Sequence, residues 1–431
     1  MATNLFRPKN PARPQATVPA IKSPVALRRN LLCSGHMSLS FRLIPIPMRP
    51  LLILPGAVFL SSCMLGPEPG SPEVTIPASF RGDTAPHGNS FGDRSWRKVF
   101  SDTSLRSLIS RALKNNPDLV AATYRIEEAR ALAEVSRSNW FPSVDGNAGA
   151  SANYASRNSA PVNKRHSDSY NLTGLLSWEL DLWGGIARDN QAARARLLQA
   201  EYQRDAVQTS LVAAVVTAYI DLQNLDERLA IARRTAESRR GSLDLVTARR
   251  DGGVSSDLEV GQANALQSQA QVLIPTTERA ITEKENELRA LLGEYPGSIA
   301  RSGSLDRLDA SFRISAGLPS SLMARRPDIT AADYAYQAAT ADIGVAEALR
   351  FPSLSLTGQG GLASRDLGKL FEGGSAAFSI GPQLTGPIFD AGRGTARVKA
   401  AQARAGVALT DYQKAVQQAF RGRAECLPED R

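Results

Sequence analysis

One numerical offset constrains this chain more than any composition figure. Adding 210 to Asn116-Pro117-Asp118 gives Arg326-Pro327-Asp328. The same step carries Phe141-Pro142 onto Phe351-Pro352, Gly184 onto Gly394, and Tyr202-Gln203 onto Tyr412-Gln413. Several landmarks at one spacing mark a duplication, and the period is far too long for a solenoid. The fold must therefore use two copies of one large unit.

Each unit reads the same way. A helix of about 25 residues opens at the Pro-Asp, because Pro117 and Pro327 suit a first helical turn and the neighbouring acid favours the positive end of the helix dipole. It stops at the Phe-Pro, since the residue before proline is pushed out of the α region. Two alternating segments follow. In the first unit Val144, Gly146, Ala148, Ala150, Ala152 and Tyr154 share one face. Tyr170, Leu172, Gly174, Leu176, Trp178, Leu180 and Leu182 share another, with the polar stretch 156–168 as a loop between. In the second unit Leu354 and Leu356 start one strand, and Phe378, Ile380 and Leu384 lie on its partner. A period of two over such lengths is a half-exposed strand. Strands of about ten residues that alternate apolar with small or polar fit a membrane β-barrel, the alternative being a soluble hairpin. Four strands leave two open edges, so a barrel requires several chains.

After Gly184 a long helix is expected over 184–250. Leu211, Val215, Ala218, Leu222, Leu225, Leu229, Ala232, Ala236, Leu243 and Val246 keep a 4-3 spacing that only Arg239 interrupts. That is a heptad seam with side chains small enough for close helix packing. Its 67 residues span about 100 Å at ~1.5 Å each. Asp251-Gly252-Gly253 ends it, Ser256-x-x-Glu259 is a capping-box pattern, and a return helix is expected over 257–292 with a kink at Pro275.

The formal net charge of +9 belongs to one end of the chain. Residues 1–62 hold eight basic residues and no acidic one, which leaves 43 basic and 42 acidic side chains elsewhere. A nucleic-acid footprint needs cations clustered on a folded face, so nucleic acid is excluded as a partner. From Met37 a basic stretch (Arg42, Arg49) precedes the apolar run Leu51–Leu60. That run is far shorter than the ~20 residues of a spanning helix. Leu60-Ser61-Ser62-Cys63 then resembles the lipobox of bacterial lipoproteins, in which the cysteine is acylated and becomes the mature N-terminus. Met64 follows, and the absence of aspartate there favours the outer membrane by the bacterial sorting rule. Residues 1–62 thus read as a signal peptide with an upstream extension, initiated at Met1, Met37 or Met48. Residues 63–95, whose first part is Pro/Gly-rich and unpatterned, read as a lipid tether and linker.

Three cysteines (Cys33, Cys63, Cys426) and three histidines (His36, His87, His166) supply neither a disulfide framework nor a metal cluster. There is no Walker loop and no nucleophile elbow, and no strand-to-helix turn follows Gly358-x-Gly360. No enzyme is expected, and no cofactor beyond a lipid on Cys63.

These features together resemble the outer-membrane factor family, the trimeric TolC-like efflux ducts, and within it the NodT/OprM-type lipoprotein branch. Carrying the resemblance are Cys63, Trp96 to Phe100 with Leu105 to Leu108, Asn116-Pro117-Asp118-Leu119, and Asn139-Trp140-Phe141-Pro142. So do Trp178 to Gly184, Gly252 to Leu258, Leu318-Pro319-Ser320 with Arg325-Arg326-Pro327-Asp328-Ile329, and Pro387-Ile388-Phe389-Asp390. The resemblance implies a mainly α protein with β: a homotrimeric 12-stranded β-barrel, four strands per chain, on a long α-helical coiled-coil barrel. It implies passive export of drugs or other small molecules, loaded by an inner-membrane RND-type pump and a periplasmic adaptor (membrane fusion) protein. Gly252, Gly253, Val254, Ser255 and Ser256 would form the adaptor-binding tip turn.

The domains expected are a first repeat over 96–293 with its hairpin at 142–182, an inter-repeat linker at 294–317, and a second repeat over 318–420 with its hairpin at 352–390. The first unit continues 91 residues beyond Tyr202 to Gly293, the second only 19 beyond Tyr412. By the repeat's own measure about 72 residues are missing, as after a frameshift or premature stop. The tail 421–431, with Gly422 and Pro428, is expected to break the helix and to depart from family sequence. Two further readings follow: a truncated, transport-incompetent, lipid-anchored structural protein, or a duct for secreted polypeptides.

Overall fold

Two halves of the same plan make up the computed structural model, which describes residues 64–75, 96–156, 158, 165–301, 323 and 325–426. The first half runs α1 (Trp96–Val99), α2 (Thr103–Asn115), α3 (Pro117–Ser138), β1 (Ser143–Tyr154), β2 (His166–Leu180), α4 (Gly185–Asp251) and α5 (Asp257–Leu291). The second runs α6 (Pro327–Ala348), β3 (Ser353–Ser364), β4 (Ala376–Thr385) and α7 (Arg393–Cys426). The lipobox Leu60 to Cys63 and the Leu318-Pro319-Ser320 motif lie outside the described residues.

Local chemistry explains the boundaries. α3 and α6 each begin on proline and end three residues before the Phe-Pro, at Ser138 and Ala348. Asn116 works at two helix ends at once. Its Oδ1 accepts from the Asp118 and Leu119 N–H groups that α3 leaves unpaired, and its Nδ2 donates to the Leu291 carbonyl at the end of α5, 3.0 Å away. α2 is capped by Asp102, which accepts from the Ser104 and Leu105 N–H groups and from the Tyr219 hydroxyl at 2.7 Å.

α4 is a single helix of 67 residues, about 100 Å long. Its heptad seam is the covered side throughout: Leu211, Val215, Ala218, Leu222 and Ala232 are buried. Leu225, Leu229, Ala236, Leu243 and Val246 are half-buried, while Arg239 is exposed. The main core lies where α2 and the end of α5 meet α4, around Leu105, Ile109, Val215, Tyr219, Leu222 and Leu288. Pro275 sits inside α5 without ending it. A smaller core joins α6 to α7 through Ile329, Tyr412, Val416 and Ala419.

Three expectations change. The helix does not break at Gly422, since α7 continues to Cys426. One glycine costs a helix about 1 kcal/mol, and Tyr412, Val416 and Ala419 anchor the preceding turns. Gly184 and Gly394 are not equivalent in detail. Gly184 is the left-handed residue before α4 (φ +73°), whereas in the second half Ala391 (+52°) and Gly392 (+84°) make that turn and Gly394 is already helical. What both turns share is an aspartate: Asp181 accepts from the Ile186 and Ala187 N–H groups, and Asp390 from those of Gly392 and Gly394.

Thirdly, the Pro/Gly-rich segment after residue 63 is packed against the helices. The Leu65 N–H donates to the Trp183 carbonyl at 3.2 Å, and the Ser71 hydroxyl donates to Asp333 Oδ2 at 2.7 Å. Val74 packs on the Ile329–Tyr412–Val416 core. The contacts step back along α6 as the segment advances, so it runs antiparallel to that helix as an extended strap.

Candidate functional site

The sheet has the antiparallel order β1-β2-β3-β4, and its register sorts the side chains. Val144 pairs with Leu176, Leu176 with Gly358, and Gly358 with Ile380. The adjacent rows on that face are Gly146–Gly174–Gly360–Phe378 and Ala148–Leu172–Leu362–Ala376. The apolar sets of the four strands therefore share one side, because paired residues point the same way. That side is open: Val144 is 73% exposed and Phe378 85%. The other side carries Asp145–Leu175–Gln359–Ser379, Asn147–Thr173–Gly361–Ala377 and Ser143–Ser177–Thr357–Gly381. Apart from Leu175 and small residues, it is a wall of hydroxyls, amides and occasional carboxylates. Leu182 falls beyond β2 and belongs to neither face.

Aromatic side chains mark both ends of the apolar face. Tyr154 and Tyr170 lie toward the β1–β2 turn. At the base the Trp178 Nε1–H donates to the Trp140 carbonyl at 3.0 Å. Trp178 and Tyr170 are eight residues apart, about 26 Å along the strand, which suits the ~25 Å apolar band of a membrane barrel. The outer strands, β1 and β4, each have one side with no partner among the described residues.

Below the sheet the two halves are stitched together. The Trp183 ring stacks on Phe351 with centroids 4.8 Å apart, and its Nε1–H donates to the Pro352 carbonyl at 2.8 Å. Phe351 and Pro352, landmarks of the repeat, thus meet the first half directly. Their counterpart Phe141 is more open, 62% exposed against 41% for Phe351. A cleft of about 640 Å³ opens here, lined among others by Glu179, Asp181, Trp183, Phe351, Thr385 and Arg393. The Gly394 and Gly392 N–H groups hold the Asp390 carboxyl below the usual range.

The far end of α4 is a tight turn. Gly253 (φ +77°) donates to the Arg250 carbonyl and Val254 to that of Arg249, both at 2.8 Å. These are the two bonds of a Schellman motif, with glycine where a Cβ would be strained. Ser256 then opens α5 with both halves of the capping box present. Gly252, Gly253, Val254 and Ser256 are exposed and Ser255 half-buried. Val254 and Leu258 are each 70% exposed, an apolar pair with no cover at the tip.

Sequence reasoning picked out the apolar face and the tip, but not the polar face, the Asp181 and Asp390 caps, or Arg188. The polar face was there to be read in the complementary alternation. Among the described residues no group of three or more His, Cys, Asp or Glu is placed to hold a metal.

The sequence matches the family model described as "Outer membrane efflux protein" over residues 108–294 and 318–427. The match runs through 421–427, so that stretch does not depart from family sequence as expected. The chain is 33% identical over 383 residues to the toluene efflux pump outer membrane protein TtgF of Pseudomonas putida, covering 86% of this chain and 79% of that one. It is 35% identical over 380 residues to outer membrane protein OprJ of Pseudomonas aeruginosa, covering 86% and 78%. Among solved structures it resembles the outer-membrane channel OprN, with a TM-score of 0.77 and 30% identity over 84% of this chain and 82% of that one. The open state of the Neisseria gonorrhoeae MtrE outer membrane channel gives 0.75 and 31% over 84% and 81%.

Proposed function

Because the chain belongs to the outer membrane efflux protein family, we propose that it is one third of a passive export duct for small molecules. Three copies close a 12-stranded barrel in the outer membrane, and their long helices continue it through the periplasm. The carrying observation is the two-faced sheet whose outer strands each keep one edge without a partner among the described residues. The apolar face meets lipid and the polar face lines the water path. β4 of one copy would pair with β1 of the next, which removes every open edge.

The remaining roles follow from that placement. Pumping energy comes from an inner-membrane RND-type partner, to which this chain adds wall and tunnel. The exposed Val254, on the tip formed by residues 252–256, and the exposed Leu258, in the first turn of α5 beside it, are the contact for the periplasmic adaptor. A lipid on Cys63, which becomes the N-terminus when the signal peptide is cleaved off after Leu60-Ser61-Ser62, anchors the chain in the same membrane.

Outer-membrane fractions run unheated and boiled, with cross-linking and a Cys63→Ala control, test the assembly. A band at three times the single-chain mass, with ion conductance in planar bilayers, is expected. Monomer alone, without conductance, overturns the reading. Val254→Asp with Leu258→Asp is expected to keep the trimer and lose capture of a purified adaptor.

A further inference from the structure

Arg188 lies in the first turn of α4 with 1% of its side chain exposed. Its partners come from the N-terminal strap. Nε donates to the Leu65 carbonyl at 3.0 Å and Nη2 to the Gly66 carbonyl at 3.1 Å, while Nη1 donates to Gln191 Oε1 at 2.9 Å. The nearest carboxylate, Glu68, is 3.7 Å away and 85% exposed. Two backbone carbonyls of the strap are thus the chief acceptors for a buried cation, and such a cation stripped of its acceptors is strongly disfavoured.

Shape complements charge. A Cβ on Gly66 would stand 2.5 Å from the Gly344 Cα, and one on Gly344 would stand 2.7 Å from the Leu65 oxygen. A Cβ on Gly184 would meet the Met64 Cα at 2.9 Å. Strap and helices touch backbone to backbone, and Gly66 (φ +82°) also needs the left-handed region.

We propose that Arg188, with the glycines at 66, 184 and 344, forms a latch for the strap Met64–Thr75, and that Arg188 is the positioning residue that sets where the N-terminal anchor enters the fold. The cradle's walls come from α4 of the first repeat and α6 of the second, so it exists only once the halves have packed. Met64 is held at Gly184, four residues beyond the end of β2 at Leu180. The strap then continues down α6 through Ser71 and Val74 and ties the anchor to the helices rather than leaving it on a free leash. The latch does not depend on acylation.

The test uses the full chain with Cys426→Ser and the pair Ser71→Cys and Asp333→Cys, whose disulfide reports a docked strap by gel mobility. It is run with Cys63 and again with Cys63→Ser. Near-complete closure is expected in both. Arg188→Lys cannot reach both carbonyls, and Gly344→Ala keeps the guanidinium but crowds the groove, its Cβ standing 2.7 Å from the Leu65 oxygen and 2.8 Å from the Arg188 Cγ. Each is expected to cut the rate of closure at least tenfold. Arg196→Ala removes an α4–α6 ion pair away from the strap and is expected to leave the rate unchanged. Unaltered closure in Arg188→Lys and Gly344→Ala overturns the latch. So does an equal drop in Arg196→Ala, or loss of helical circular dichroism in both test variants, because the residues would then hold the helices together instead. A drop confined to Cys63→Ser would tie docking to the lipid and overturn the latch while leaving the channel reading intact.

Discussion

α3 and α6 are one element written twice, 22 residues each, and the chain treats them in opposite ways. Val120, Tyr124, Leu132 and Val135 of α3 are all exposed. Their counterparts 210 residues on, Thr330, Tyr334, Asp342 and Val345, are all half-buried. α4 covers them: Tyr334 stacks on Tyr202 with centroids 5.6 Å apart, and Asp342 accepts from Arg196. An apolar stripe that none of the described residues covers fits a surface for another molecule. The repeat also says what should cover it. α6 rests on the long helix of the preceding repeat, so α3 should rest on α7, the long helix of a neighbouring copy.

The sharpest attempt to break this comparison is Leu132→Asp. A carboxylate buried without a partner costs several kcal/mol, so heat-resistant trimer on unheated gels is expected to disappear. On a surface that stays wet the same change costs under about 0.5 kcal/mol, and an unchanged trimer would end the comparison. Next is Tyr334→Ala, inside the chain. It removes a stacked ring and should cost about 2–3 kcal/mol, read as a lower melting temperature for monomer and trimer alike.

Asn116→Ala sharpens the contrast between the two helix starts. It strips α3 of its cap and leaves the Leu291 carbonyl short of a donor, for about 1–2 kcal/mol. Arg326→Ala at the matching position removes the pair with Asp328 and no side-chain cap, and should cost under about 1 kcal/mol. Thermal melts of the two variants side by side decide it.

The smallest effect is acid sensitivity. Arg111, with Arg289, holds the Glu294 carboxyl below its usual range. A folded pKa lower than the unfolded one means stability that is present above the ordinary glutamate range and lost as pH falls through the folded value. Glu294→Gln should flatten that decline by less than about 1 kcal/mol, measured by melts between pH 6 and about pH 3.

Most of the architecture was legible because its signals are periodic. The heptad seam of α4 predicted its length within a residue at each end, and strand alternation located all four strands. Ser256 and Glu259 named their capping box outright. What escaped has no period. The strap Met64–Thr75 is docked through backbone carbonyls and glycines, which leave no pattern in side chains. Arg188 looked like one more cation on a charged helix, because burial is invisible to spacing. The two-residue slip that puts Gly392, not Gly394, in the place of Gly184 escaped for another reason: Asp181 and Asp390 do the same capping work through turns of different length. The polar face of the sheet was legible and simply not read, since alternation names two faces whenever it names one.

The unpaired sides of β1 and β4 carry a genetic consequence. A subunit that must lend an edge to each neighbour can spoil a ring it does not dominate. A gene copy with a damaged β1 but a sound β4 would still be recruited, and rings of mixed parentage would outnumber pure ones. Lesions in those two strands should therefore act in the presence of an intact copy, whereas lesions that merely prevent folding should be silent beside it.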